Sequence, residues 1–157
     1  MKVRAVEPNV DAEALLPGAQ FIDAYRITVN DAALDARHAA EKMTAPGPRW
    51  IEALLRLRNR LVAPFSLKTA APTGSSAPDR VGIFPVISER PDRLVAGLDD
   101  AHLDFRLVVD VAGTGSERRI TATTPVLTHN LLGRAYLAVI LPFHRLIVPS
   151  MLRKVAS

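Results

Sequence analysis

The spacing of apolar and polar positions divides the chain into strand-like and helix-like stretches. FIDAYRITV (Phe21–Val29) is rich in β-formers and partly alternating, so Phe21, Tyr25, Ile27 and Val29 share a face, with Asp23 among them. Asn30 or Asp31 then caps a predicted helix, AALDARHAAEKM, which the APGP run at 45–48 ends because proline has no N–H to continue the ladder. A second helix is predicted from about Arg49 to Ala63, stopped by Pro64. Four strands follow: Val81–Glu89, Arg93–Leu98, Asp104–Val111 and Arg119–His129. In the third, Phe105, Leu107, Val109 and Val111 face one way, and Asp104, Arg106 and Asp110 the other. VAGTGSE reads as a hairpin turn by its glycines, and ERP and LDDAH as further turns, so the strands form an antiparallel meander. A long helix from about Asn130 to Lys154 closes the chain.

This order predicts an α+β fold. A curved antiparallel sheet has one face covered by the long C-terminal helix, with two short helices after the first strand. The 157 residues fit a single domain without internal repeats. Residues 1–20, with Pro8, Pro17 and Gly18, read as a loosely attached arm. SLKTAAPTGSSAPDR (Ser66–Arg80) lacks periodicity and reads as a mobile loop.

Composition narrows the classes. With 48% hydrophobic residues the chain can bury a core, and disorder would require far fewer. Lys and Arg outnumber Asp and Glu by 20 to 16, a modest excess. Aromatic residues make up only 5%, and the arginines are scattered along the chain, so a nucleic-acid partner is not expected. The absence of cysteine removes disulfides, thiol nucleophiles and thiolate metal sites. The N-terminus shows no signal-peptide pattern. The apolar stretch Ala135–Met151 is interrupted by Pro142, His144, Arg145 and Pro149, so no membrane span and a cytoplasmic location are expected.

Three residues depart from their surroundings. On the second predicted helix, Arg58 falls inside an apolar arc of Ile51, Leu54, Leu55, Leu61, Val62 and Phe65. A guanidinium there needs a carboxylate or an acidic ligand, because an unpaired buried charge is costly. Asp104 is the expected internal partner, with Asp100 and Asp23 as alternatives. On the C-terminal helix, apolar residues cover more than half the circumference, which predicts a nearly engulfed helix. Arg134, Ala138, Arg145, Arg153 and both prolines hold the remaining stripe. Tyr136 and His144 lie inside the apolar arc, either as hydrogen-bonded core residues or as ligand contacts.

Other chemistry is thin. Asp99, Asp100, His102 and Asp104 combine carboxylates and an imidazole, but their spacing matches no metal loop and Asp-rich turns arise for backbone reasons, so no metal is expected. GTGS (Gly113–Ser116) lies between two strands and is no phosphate cradle. No nucleophilic triad is readable and no cofactor is implied.

LPGAQFIDAYRI, the pattern from Trp50 to Val62, GLDDAHLDFRL (Gly97–Leu107) and THNLLGRAYLAVILPFHRLIVPSML (Thr128–Leu152) together resemble an uncharacterised bacterial family recorded as a domain of unknown function. The element order resembles the helix-grip fold of the START and Bet v 1-like proteins, in which a bent sheet grips the C-terminal helix around an apolar cavity. The resemblance implies a fold and a cavity, but no reaction. Members of the family are sometimes fused to nucleotide-cofactor-binding domains, so it also allows association with such a domain. The leading expectation is a module that binds a small, mostly apolar and perhaps acidic molecule through Arg58, Tyr136 and His144. The alternatives are an enzyme of cyclase, dehydratase or isomerase type, with His144 or His129 as general base, and a protein-interaction domain with a filled core.

Overall fold

The computed structural model describes residues 3–45, 80–81, 84–99 and 103–156. The order is β1 (Arg4–Val6), α1 (Ala12–Leu15), β2 (Phe21–Asn30), α2 (Ala36–Thr44), β3 (Arg80–Val81), β4 (Phe84–Arg90), β5 (Arg93–Asp99), β6 (Leu103–Ala112), β7 (Glu117–Thr128) and α3 (Leu131–Arg153). A short 3-10 turn, Lys154–Ala156, ends the described chain. The second predicted helix, Arg58 within it, and the loop 66–80 as far as Ser76–Asp79 lie outside the described residues; Arg80 opens β3.

The strands form one open antiparallel sheet in the order β1-β2-β7-β6-β5-β4-β3. β2 is inserted beside β7 rather than beside the strand that follows it in sequence, which puts the first long strand next to the last. Alternation works as the pattern predicts. Ile27, Val29, Val109, Val111, Ile120 and Ala122 are buried on the face that carries the helices. Gly113 (φ 141°) and Gly115 (φ 61°) shape the β6–β7 hairpin in backbone conformations that L side chains rarely adopt.

α2 begins later than the sequence pattern indicates. Its N-cap is Asp35, not Asn30 or Asp31, and the Asp35 side chain accepts from the His38 N–H at 2.8 Å. Asp31 instead accepts from the Ala33 N–H, closing a tight turn before the helix. Ala36, Ala39, Ala40 and Met43 bury the inner face of α2. α3 is capped by Asn130, whose side chain accepts from the Gly133 N–H at 2.9 Å. Val148, Leu152 and Val155 bring its C-terminal end into the core.

Two expectations are corrected. Residues 3–20 are not loosely attached. Arg4, Ala5 and Val6 pair with Arg26, Tyr25 and Ala24, Leu16 is buried, and Gln20 clamps the end of β7. Its Oε1 accepts from the Thr128 N–H at 2.7 Å and from the Thr128 hydroxyl at 2.9 Å. Nor is α3 engulfed: Leu131, Val139, Phe143 and Leu146 are exposed, because the sheet and α2 cover only one side of it. Leu131–Ala156 is the helix among the described residues that is long and apolar enough to cross a membrane by length and composition, with a mean hydropathy of 1.5. It packs on β2, β7 and α2 of its own chain.

Candidate functional site

The inner face of β2 carries Phe21, Asp23 and Tyr25 before it turns fully apolar at Ile27 and Val29. Register sets these residues opposite Val126, Thr124 and Ala122 of β7. α3 lies across this corner of the sheet, and the inward row Leu137, Leu141 and His144 follows helical spacing. His144 thereby reaches Asp23. Its Nε2 lies 3.1 Å from both carboxylate oxygens, with each side chain about one-fifth exposed. The Phe21 ring meets the imidazole edge-on, with centroids 6.1 Å apart.

Two features around this pair are chemically unusual. The Thr124 side chain, opposite Asp23 on the neighbouring strand, is buried and its Oγ1 has no hydrogen-bond partner among the described residues. Tyr25, next on the same face of β2, has its phenol pushed above its ordinary pKa by burial and by the Asp23 carboxylate, while Arg145 acts in the opposite sense. An open groove of about 330 Å³ leads along α3, bounded by Gln20, Thr128, Arg134, Leu137 and Leu141.

Of the three residues singled out by sequence, His144 and Tyr136 are partly buried on α3, and only His144 is placed in this pair. Arg58 lies outside the described residues. Two of its expected partners are engaged by histidines: Asp23 by His144, and Asp104 by His129 at 3.0 Å. Asp23 was expected as an alternative partner of Arg58; its pairing with His144 was not foreseen. Its signal was present as a lone carboxylate on an otherwise apolar strand face. Among the described residues, no three potential ligating side chains gather to hold a metal.

A family profile described as "Protein of unknown function (DUF2867)" matches residues 15–151. The chain belongs to this family. The match runs from α1 to the end of α3 and so includes Asp23, Thr124 and His144. No curated protein matches the chain. Among solved structures it is similar to a conserved protein from Geobacillus kaustophilus, at 12% identity and a TM-score of 0.44, over 87% of this chain and 93% of that one.

Proposed function

We propose that this DUF2867 member is a binding module for a small, mostly apolar molecule carrying a polar head group. The observation that carries this reading is the Thr124 hydroxyl, buried without a partner among the described residues, opposite the Asp23 that holds His144. Buried polar groups are nearly always hydrogen-bonded, so an orphan beside an oriented imidazole marks a place for a ligand's polar end. The groove along Leu137 and Leu141 supplies an apolar approach for its body. In this reading the sheet and α3 act together as a helix-grip pair, with Tyr136 as a further contact and Arg58 as the anchor for an acidic head.

A second reading, an enzyme, gains from one specific contact. Asp23 takes up Nε2 of His144 and fixes the ring's orientation, which leaves Nδ1 to work on a substrate as a general base. The two readings separate experimentally. Decanoate, an apolar chain with a carboxylate head, is titrated into the protein while amide NMR shifts are followed. Saturable shifts at Phe21, Asp23, Thr124 and His144, reduced in Thr124→Val and His144→Phe, support the binding module. Native mass spectrometry of the purified chain with no retained molecule, and no such shifts with decanoate, overturn it. Conversion of a molecule retained from cell extract, lost in Asp23→Asn, supports the enzyme.

A further inference from the structure

The sheet face turned away from α3 carries a second polar assembly. Cross-strand register places Arg4, Arg26, Thr121, Asp110, Arg93 and Arg90 directly opposite one another on six successive strands. Directly paired residues point to the same face, so these side chains form one row across the sheet. Four of the six are arginines, scattered from residue 4 to residue 93 in the sequence.

The charges in the row do not cancel. Arg93 donates to Asp110 through Nε at 2.6 Å and Nη2 at 3.2 Å, so that carboxylate is taken. Asp92, in the β4–β5 turn, lies 3.6 Å from Arg90. Arg26 spends its Nε on the Thr121 hydroxyl at 3.0 Å, which orients the guanidinium and leaves its terminal N–H groups over the sheet. Arg119 is exposed two residues before Thr121 on the same face of β7. Among the described residues neither Arg26 nor Arg119 has a carboxylate partner.

Arg26, Arg119, Thr121, Arg93, Asp110 and Asp92 border a cleft of about 500 Å³, which Asn9 of the N-terminal segment also lines. Thr123 also lines it, fully buried, and its Oγ1 has no hydrogen-bond partner among the described residues. The cleft is thus cationic at one end, with an unused hydroxyl in its lining, and holds the paired carboxylates Asp110 and Asp92 at the other.

We propose that this cleft binds a small phosphate ester with a hydroxyl-bearing body. Two guanidinium groups on neighbouring strands and a hydroxyl offer more donors than a carboxylate's two oxygens can use, which suits a phosphate ester with its three terminal oxygens. Asp92 and Asn9 offer acceptors for hydroxyl groups on the body. Among the described residues the row and cleft include no aromatic side chain on which bases could stack, which favours a small phosphate ester over a single-stranded nucleic acid. The site lies on the opposite face of the sheet from Asp23 and His144 and stands or falls independently of them.

Calorimetric titration of the full chain with glucose phosphate, inorganic phosphate and glucose tests the assignment. Glucose phosphate is expected to bind about tenfold or more tighter than either fragment, and each of Arg26→Gln and Arg119→Gln to weaken it by about tenfold. Arg119 is exposed, so its variant remains informative if Arg26→Gln fails to fold. Thr123→Val is expected to weaken binding without lowering the melting temperature, a combination that a purely structural hydroxyl would not give. No binding at millimolar glucose phosphate, undiminished affinity in Arg119→Gln, or tighter binding of a single-stranded oligonucleotide overturns the proposal.

Discussion

Asp23 on β2 and His144 on α3, 121 residues apart in sequence, meet with the His144 Nε2 3.1 Å from the carboxylate. The contact joins the first long strand to the last helix. Its strength should show in a double-mutant cycle. Asp23→Ala and His144→Ala, singly and together, are expected to give a coupling of about 0.5–1.5 kcal/mol in chemical denaturation. Strict additivity would show that the pair contributes nothing to holding α3.

Tyr25 provides a pH-dependent readout of the same corner. Its phenol is held above the ordinary value of about 10, first by burial and then by the negative charge of Asp23. A group whose pKa is raised on folding contributes stability that is complete below its unfolded pKa and is lost as pH rises through its folded one. Stability should therefore decline on the alkaline side, and Tyr25→Phe should remove that component. In a Tyr136→Phe background, where Tyr25 is the remaining tyrosine, absorbance titration is expected to show late ionisation that Asp23→Asn brings earlier. Ionisation unchanged by Asp23→Asn would contradict the electrostatic account.

The cap of α2 acts at the opposite end of the pH scale. The His38 N–H donates to Asp35 and holds its carboxyl below the usual value. That contribution is present above the unfolded aspartate pKa and is lost as pH falls through the folded one. Asp35→Ala is expected to cost about 1 kcal/mol at neutral pH, with a smaller difference in acid, whereas Asp35→Asn keeps most of the cap. Equal melting temperatures for wild type and Asp35→Ala at neutral pH would disprove the role.

Gly97 sits in the middle of β5, where a Cβ would run into the carbonyl oxygen of Phe105 on β6. Backbone, unlike a flexible side chain, cannot swing away. Gly97→Ala is expected to destabilise the domain by about 1–3 kcal/mol, read from the denaturation midpoint. A variant as stable as wild type would mean that β5 and β6 can separate locally without cost.

Much of the secondary structure was legible because alternation and proline punctuation are local signals. β2, β5, β6 and β7 start and stop within about two residues of their sequence pattern, and Asn130 caps α3 as its position implies. What escaped was whatever depends on register or coverage. The apolar arc of α3 is wider than the surface available to bury it, so Val139 and Leu146 stay exposed although the sequence places them on the inner arc. Asp23 and His144 could each be seen as polar on an apolar face, but their meeting requires knowing that β2 inserts next to β7. The arginine row was invisible for the same reason: Arg4, Arg26, Arg90 and Arg93 become neighbours only through strand pairing.

The open sheet ends in its two shortest strands, the three residues of β1 and the two residues of β3. A long bare edge would offer a ladder of unpaired amides to another chain, the geometry from which runaway cross-β stacking starts. Here the outermost strands are short, β1 lying along Ala24–Arg26 of β2 and β3 along Phe84 and Pro85 of β4, and β1 adds the charge of Arg4. Short outermost strands, one of them carrying a charge, discourage a second chain from extending the sheet by its backbone.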